Sequence, residues 1–483
     1  MLSKIKEFLF KNTGIKQTVF KNTFWLTLAE SIARLSGLIL LIYITRILGV
    51  NEYGKFTFAL SFALIMSIFS DLGIAEISTR EFSRDKENEK RLNSIFTLEV
   101  LLFISVIVIT FISSFFITSD FYIRKIIWIL IVYVLIGNIF GIFFSFLRAR
   151  QKMEYEAIVK ICQASLNIVL IFLILLYSPI ATSISYGYLF SSFIVLLSFL
   201  LFFSLRFKPV ALQFDKNIFN ILKISWPLSL GFMPSWIYIS LNSIILGYLG
   251  LITENGWYSA ASRIAIIALI VANLVTRSFY PILSNLFFIS KEKTQKAWNY
   301  LLESMIFLIL PVMIGGLTLA PKIIYSFYGS GFEPSISALK ILMLVVAISF
   351  INYPYTIIMI VADHQRQNFV FIVIGAIVNI VLDFIFIKMY GFYGILMSTI
   401  IASALVLFMT IFYLIRMKLI SFFNKRLLGT FLVSMLAGFI MYLTISHRLV
   451  YNLNVIFTCL VGALVYFVLF FLLYRFVLLR KLV

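Results

Sequence analysis

Long apolar segments follow one another along the whole chain and are separated by short polar connections. A transmembrane α-helix needs about 20 predominantly apolar residues to cross the hydrocarbon core of a bilayer. The 483 residues are 62% hydrophobic and 12% charged, whereas a soluble domain carries about a quarter charged residues. The sequence therefore predicts an all-α integral membrane protein that crosses the bilayer many times.

Fourteen segments are long and apolar enough to be predicted spans. They lie at about 24–45, 54–77, 93–116, 124–147, 157–177, 182–203, 219–247, 257–281, 297–318, 336–361, 366–387, 392–414, 427–445 and 453–475. The connections between them are short, with tight hairpins predicted at 178–182 and 362–366. They leave no room for a soluble domain.

The basic residues are distributed unequally between the two predicted sides of the membrane. Most of the 40 Lys and Arg residues fall in the two terminal segments and in every second connection. Connections rich in Lys and Arg usually face the cytoplasm. Because the number of spans is even, both termini are predicted to be cytoplasmic. This distribution accounts for the net charge of +20, and no nucleic-acid partner is expected.

Two pairs of segments resemble each other across the chain. GVNEYGKFTFALSF (49–62) resembles ENGWYSAASRIAII (254–267), and QASLNIVLIFLIL (163–175) resembles GAIVNIVLDFIFI (375–387). Internal repeats are typical of transporters in which two lobes alternate the access to a binding site. The alternative is chance similarity among segments rich in Ile, Leu and Phe.

The repeat predicts two pseudo-symmetric six-helix lobes. A basic cytoplasmic N-terminus (1–21) precedes an N-lobe (22–210) and a C-lobe (211–418). The last two helices and a cytoplasmic C-terminus (419–483) follow the lobes.

A charged pair lies near the centre of the first predicted span, where Arg34 follows Glu30 by four residues. Inserting an arginine at the centre of a helix costs about 2.5–3.5 kcal/mol, so Arg34 is expected to face a bundle interior or a watered cavity. The spacing also favours an ion pair on one helix face. In one interpretation Arg34 binds an anionic substrate while Glu30 positions it or titrates. In the other, the pair only neutralises itself.

Arg263 and Lys160 are the other predicted substrate-binding residues. Arg263 lies near the outer end of the eighth span, in the lobe opposite Arg34, and Lys160 lies near the start of the fifth. Both are candidates to face a central cavity. Because long basic side chains also reach the headgroups from such positions, snorkelling is the alternative for each.

A further set of charged residues is predicted to form a gate or to couple transport to an ion gradient: Asp71, Arg80, Glu99 and Asp383. The first three lie close to the predicted cytoplasmic surface, where an ordinary hairpin network is the alternative. Asp383 lies deeper in the eleventh span, and Lys388 is close enough in sequence to pair with it. Glu30 is also a candidate for titration or sodium binding.

Three prolines within spans are predicted hinges: Pro227, Pro234 and Pro354. Proline removes a backbone donor and bends a helix, which leaves carbonyl groups that need a partner or water. Bent helices suit lobes that rock against each other. Prolines also occur in transmembrane helices for packing reasons alone.

The sequence offers no pattern typical of an enzyme. Cys162 and Cys459 lie in apolar segments without metal-ligand spacing, and the two histidines lie apart in connections. A phosphate-binding Walker motif is also absent from the sequence. We therefore expect a transporter without a cofactor or a metal site.

Four motifs resemble a known family: RILGVNEYG (46–54), DLG (71–73), LRARQKMEYEA (147–157) and GWYSAASRI (256–264). They are similar to elements of the Wzx-type O-antigen and polysaccharide flippases. These proteins belong to the multidrug/oligosaccharidyl-lipid/polysaccharide (MOP) exporter superfamily. Many relatives have an acidic residue in the seventh span, where this chain has Asn242. The difference weakens any role for a carboxylate there.

The resemblance implies a substrate and a location. The substrate would be an undecaprenyl-pyrophosphate-linked oligosaccharide used for O-antigen or lipopolysaccharide, moved across the bacterial cytoplasmic (inner) membrane. Membrane lipids, a polysaccharide polymerase and a chain-length regulator would be partners. Arginines from each lobe would then neutralise the pyrophosphate while the lipid tail stays in the bilayer.

Two other functions remain open. A cation-coupled drug exporter of the same superfamily would be expected to use acidic residues and twelve spans. A membrane polysaccharide polymerase would be expected to have a large periplasmic loop, and the longest predicted loop on that side is only 319–335.

Overall fold

The computed structural model describes residues 12–84, 89–207, 210–214, 217–419 and 425–475. Within these ranges the side chains of residues 89, 90, 217–219, 227–239 and 425 are not described. The described residues form fifteen α-helices and a short 3-10 turn (Ser330–Phe332), without a β-strand. The predicted all-α fold is confirmed.

The helices of the first half are α1 (Ile15–Asp71), α2 (Ile74–Arg84), α3 (Glu89–Ile117), α4 (Phe121–Ala149), α5 (Met153–Tyr177), α6 (Ala181–Arg206) and α7 (Asn217–Tyr248). Those of the second half are α8 (Ile252–Phe287), α9 (Lys291–Phe327), α10 (Pro334–Val361), α11 (Gln365–Tyr390), α12 (Phe392–Arg416), α13 (Lys425–Ser446), α14 (Arg448–Tyr451) and α15 (Val455–Tyr474). The hairpins predicted at 178–182 and 362–366 are present.

The first half of α1 runs alongside α5. At one end, Lys21 Nζ lies 2.9 Å from Glu154 Oε2, and it also donates to the carbonyl oxygen of Gln151 at 3.0 Å. At the other end, the rings of Tyr43 and Phe172 stack with centroids 5.3 Å apart. Lys21, the last residue of the predicted cytoplasmic N-terminus, is therefore a fully buried cation held by the start of α5.

The second half of α1 runs alongside α4. Glu52 accepts a hydrogen bond from Tyr122 Oη at 2.7 Å, and Asn138 Nδ2 donates to the carbonyl oxygen of Ser67 at 3.0 Å. Because α4 and α5 are joined by a tight turn and run in opposite directions, the two halves of α1 do so as well. The reversal is at Gly49, whose φ of 71° is readily available only to glycine.

A second break separates α1 from α2, inside the predicted second span. Leu72 and Gly73 both have positive φ (40° and 76°). Asp71 Oδ1 then accepts a hydrogen bond from the backbone nitrogen of Ala75 at 3.3 Å and caps α2. The predicted span at 54–77 therefore ends at Asp71, because its last residues belong to a separate short helix.

Twelve helical segments of the described chain are long and apolar enough to cross a membrane. The first of them, Ile15–Arg84, has 70 residues. As one straight helix it would be about 105 Å long, against a hydrocarbon core of about 30 Å. Because it reverses at Gly49, it supplies two crossings. With α7 at the seventh predicted span, the helices agree with the fourteen predicted crossings.

The chain divides into two compact units, Met1–Gly256 and Trp257–Val483. In the first unit, buried aromatic and aliphatic side chains from α2, α3, α4 and α6 form a hydrophobic core, among them Phe82, Phe143 and Phe203. In the second, α9, α13 and α15 pack around Leu319, Ala437 and Tyr466. The lobe boundaries at 210 and 418 remain predictions.

Candidate functional site

A cavity of about 410 Å³ lies within the first unit, between α1, α4, α5 and α6. Its polar lining includes Glu30, Lys160, Gln163 and Asn167. The volume is in the range of small-molecule binding sites, about 300–1,000 Å³. Because its lining carries charged and amide side chains, it is the candidate substrate site.

A chain of alternating charges runs along one side of the cavity. Arg34 Nε donates to Glu30 Oε1 at 2.8 Å, and Glu30 Oε2 lies 3.8 Å from Lys160 Nζ. Lys160 also pairs with Glu156 at 3.0 Å. Glu156 in turn accepts two hydrogen bonds from Arg148, at 2.8 and 2.6 Å. Three cations and two anions leave one excess positive charge here.

An amide and hydroxyl network forms another part of the wall. Gln163 Nε2 donates to Asn167 Oδ1, Ser191 Oγ and Ser192 Oγ, each at 3.1 Å. Ser191 Oγ also donates to Asn167 Oδ1. The carbonyl oxygen of the Gln163 side chain is buried and has no hydrogen-bond partner among the described residues. An unsatisfied buried acceptor favours a bound donor such as a water or a ligand hydroxyl.

Aromatic rings and glycines complete the lining. The rings of Tyr133 and Tyr188 pack with centroids 5.2 Å apart, and Lys160 Nζ stands 5.7 Å from the ring centroid of Phe144. A Cβ atom added at Gly37 or Gly137 would meet no neighbouring atom within 4 Å. These two glycines therefore border open space, and they enlarge the cavity.

The structure brings together three of the four predicted substrate-binding residues. Glu30 and Lys160 line the cavity, and Arg34 is connected to it through Glu30. The side chain of Arg34 is 55% exposed. Arg263 lies half-buried in α8, in the second unit. Its predicted contact with substrate stays a prediction.

Three of the four predicted gate or coupling residues, Asp71, Arg80 and Glu99, lie in the neighbouring helices α1, α2 and α3. Glu99 is buried and accepts a hydrogen bond from Ser70 Oγ at 3.1 Å, while Asp71 caps α2. Arg80 Nη2 lies 3.3 Å from Glu81 Oε1. Within the described residues, Arg80 therefore forms an ion pair with its sequence neighbour Glu81. The gate remains a prediction.

Asp383 lies fully buried in α11 of the second unit. Ser398 Oγ donates to Asp383 Oδ1, and Asn379 Nδ2 lies 3.4 Å from the same oxygen. Asp383 Oδ2 has no hydrogen-bond partner among the described residues. The pairing with Lys388 that the sequence suggested is wrong. Lys388 is exposed at the end of the helix, and the described contacts of Asp383 are with hydroxyl and amide groups.

The predicted hinges lie in helices that continue through them. α10 passes through Pro354, whose carbonyl oxygen accepts a hydrogen bond from Trp298 Nε1 at 2.9 Å. The backbone of α7 continues through Pro227 and Pro234, but their side chains lie outside the described residues. A hinge role for these three prolines stays a prediction.

The sequence reasoning missed Gln163, Ser191 and Ser192 and noticed Asn167 only as part of the repeat. A signal was present, because Gln163 and Asn167 are two amides four residues apart in an otherwise apolar span. Residues with this spacing lie on the same face of a helix. Among the described residues, no three His, Cys, Asp or Glu side chains lie together as a metal site.

The fold is shared with solved membrane transporters. A structure of the lipid II flippase MurJ in an inward closed conformation aligns with a TM-score of 0.75 at 19% identity, over 93% of this chain and 98% of that one. An inward-facing multidrug resistance MATE transporter of the MOP superfamily aligns with a TM-score of 0.64 at 15% identity (82% and 99%). An outward-facing MATE transporter aligns with 0.53 at 17% identity (86% and 97%). The described helices therefore define a multi-pass membrane protein with the same fold as these solved transporters.

The family follows from a second comparison. The polysaccharide biosynthesis protein family matches residues 19–287, more than half of the chain. The chain belongs to this family. No match is found among curated protein sequences.

Proposed function

We propose that the chain is a flippase that moves undecaprenyl-pyrophosphate-linked oligosaccharide repeat units from the cytoplasmic to the periplasmic leaflet by alternating access. The proposal rests on the cavity of the first unit. A chain of charged side chains with one excess positive charge lies on one side of it, and amide and aromatic side chains line the other side. Membership of the polysaccharide biosynthesis protein family supports this class of substrate. The fold shared with a lipid II flippase supports the mode of action.

The charged side of the cavity suits a pyrophosphate. The contact of Lys160 with Glu30 is long, at 3.8 Å, whereas its pair with Glu156 is 3.0 Å. A phosphate oxygen would therefore replace Glu30 as a partner of Lys160 while Glu156 keeps the lysine in position. Glu30 would keep Arg34 oriented towards the same anion, because charge-assisted hydrogen bonds fix the direction of a guanidinium group.

The uncharged side suits a glycan. Sugar hydroxyls both donate and accept hydrogen bonds, and the free acceptor of Gln163 is placed to receive one. The rings of Tyr133 and Tyr188 supply the apolar surface on which the C–H face of a sugar can lie. The lipid tail would stay in the bilayer, since only the head group needs shelter from hydrocarbon.

Transport needs a second conformation and a source of energy. The same fold occurs in transporters solved in inward closed, inward-facing and outward-facing conformations, which supports alternation between such states here. Asp383 is the best candidate for coupling, because Asp383 Oδ2 and Asn379 Oδ1 are both buried without a described partner. Two oxygen ligands four residues apart on one helix suit a small cation or a proton.

The test is a complementation assay in a host that lacks its own copy of the gene. We expect the deletion to abolish surface glycan and to accumulate the lipid-linked repeat unit in the inner membrane. Lys160→Gln and Arg34→Ala should restore less than about a tenth of the surface glycan, since each removes a charged contact worth about 1.5–3 kcal/mol.

Lys296→Gln is the matched control. Like Lys160, Lys296 forms an i,i+4 ion pair with a glutamate, but the pair with Glu292 is exposed in the second unit. This variant should restore normal glycan at equal protein levels. If the deletion leaves surface glycan intact and changes drug sensitivity instead, the chain is a drug exporter and the proposal is wrong.

A further inference from the structure

A second cavity of about 560 Å³ lies between α5 and α6, on the side of α5 away from the polar cavity. It is an open apolar groove, and its lining includes Tyr155, Ile158, Cys162 and Val169 from α5 and Ile194 and Phe202 from α6. Val159 borders both cavities. The groove follows one face of each helix, because the α5 residues recur every three or four positions.

A cluster of positive charge lies at one end of this groove, where α5 begins and α6 ends. Lys152 is the residue before α5, and Arg206 is the last residue of α6. Arg206 follows Phe202 by four residues, so the two share a helix face. Among the described residues, neither Lys152 nor Arg206 has a carboxylate within salt-bridge distance.

Aromatic side chains connect the cluster to the groove. Lys152 Nζ lies 4.8 Å from the ring centroid of Phe207. Phe207 packs edge-on against Tyr155 at 6.1 Å, and Tyr155 packs against Phe202 at 5.3 Å. Since Tyr155 and Phe202 line the groove, the cations stand directly at its end.

The cations are crowded in a way that an anion would relieve. Burial lowers the pKa of Lys152, and so do the positive charges of Arg206 and Arg150, while Glu154 opposes them. Glu154 is itself held by Lys21. The cluster therefore has an excess of positive charge on the side predicted to be cytoplasmic, the leaflet surface where anionic lipids are enriched.

We propose that this groove binds one anionic phospholipid of the bilayer, with its phosphate on Lys152 and Arg206 and an acyl chain along Tyr155, Cys162 and Val169. The site is separate from the polar cavity and takes a lipid that is not transported. Because Val159 borders both cavities, the bound acyl chain packs against the outer face of α5, the helix that carries Lys160 and Gln163.

The test is native mass spectrometry of the full-length protein in detergent with dioleoyl phosphatidylglycerol or dioleoyl phosphatidylcholine. We expect one phosphatidylglycerol to remain bound at least about tenfold more tightly than phosphatidylcholine. The double variant Lys152→Gln/Arg206→Gln should lose this preference, because two cations at an anionic headgroup together supply at least that ratio. The double variant Lys152→Arg/Arg206→Lys should keep it and shows that the fold tolerates changes at both positions.

Two further variants separate charge from shape. Lys293→Gln/Arg416→Gln removes two exposed cations from helix ends of the second unit, so it should retain the preference. Ser198→Trp fills the groove from an exposed position and should weaken phosphatidylglycerol binding with all charges in place. Equal binding of the two lipids to the unaltered protein would overturn the proposal. So would displacement of phosphatidylglycerol by equimolar undecaprenyl phosphate, because the groove would then belong to the transported lipid.

Discussion

The side-chain nitrogen of Asn255 donates a hydrogen bond to the backbone carbonyl oxygen of Gly54 at 2.8 Å. At the same place a Cβ atom on Gly54 would lie 2.0 Å from the carbonyl oxygen of Ile252, and one on Gly256 would lie 2.3 Å from that of Val50. The second half of α1 and the start of α8 therefore meet backbone to backbone. Gly54 and Gly256, which lie in the two segments that resemble each other, are the two glycines that make this approach possible.

Gly54→Ala should destabilise the protein, because the added methyl group meets backbone atoms that cannot move aside. Overpacking of this kind costs about 1–3 kcal/mol. The measurement is the apparent melting temperature of the purified protein in detergent. Gly315→Ala is the control, since its Cβ would meet no atom within 4 Å. Equal melting temperatures for the two variants would contradict the close approach.

Glu156→Gln should weaken the buried part of the charged chain. The carboxylate is 0% exposed and holds both Arg148 and Lys160, whereas a glutamine offers one acceptor and no charge. We expect a loss of about 1–3 kcal/mol, the usual effect of removing a charged hydrogen-bond partner. Chemical denaturation followed by tryptophan fluorescence measures it. The exposed pair provides the comparison: Glu292→Gln should leave the stability almost unchanged, because surface substitutions of this kind have little effect.

Gln163→Leu should impair recognition of the glycan more than recognition of the lipid phosphate. It removes the free acceptor in the cavity and the donor to Ser191 and Ser192. In reconstituted vesicles we expect transport of the lipid-linked oligosaccharide to fall about tenfold, while inhibition by undecaprenyl phosphate is unchanged. Gln365→Leu, the same change at an exposed position at the start of α11, should leave both measurements as they are. If Gln163→Leu reduced transport and inhibition by undecaprenyl phosphate equally, the interpretation that the glycan binds at this wall would be wrong.

Asp383→Asn should uncouple transport from an ion gradient while the fold is retained. Asparagine still accepts the hydrogen bond from Ser398, but it offers no negative charge to a cation. Transport into vesicles with an imposed sodium or proton gradient is the measurement. The unaltered protein should respond to one of the two gradients, and the variant to neither. A variant that responds as strongly as the unaltered protein would exclude Asp383 as the coupling residue.

The features that depend only on residues close together in the sequence could be predicted. The ion pair of Glu30 with Arg34 follows from a spacing of four residues on one helix. The positions of the crossings follow from the length of apolar runs, since a bilayer imposes a minimum length.

Other features depend on contacts between segments that are far apart in the sequence. Lys160 was predicted to face a cavity, with the headgroups as the alternative, but its partners could not be predicted: it pairs with Glu156 and faces Glu30, since α1 and α5 run side by side. The hydrogen-bond partner of Asp383 is Ser398, on the next helix. Asp383 lies on the buried face of α11, which packs against that helix, whereas Lys388 lies at the exposed end of α11. The break at Leu72 was missed because leucine rarely adopts a positive φ.

The burial of Lys21 has a consequence for the synthesis of the chain. Its partners Gln151 and Glu154 follow it by 130 and 133 residues, so they leave the ribosome on the order of ten seconds later. Until then the start of the first crossing has a charged side chain without its anion. The contact therefore closes the first unit late, after α4 and α5 have inserted. A fusion partner that holds residues 12–21 away from that turn should trap the nascent protein with its first helix undocked.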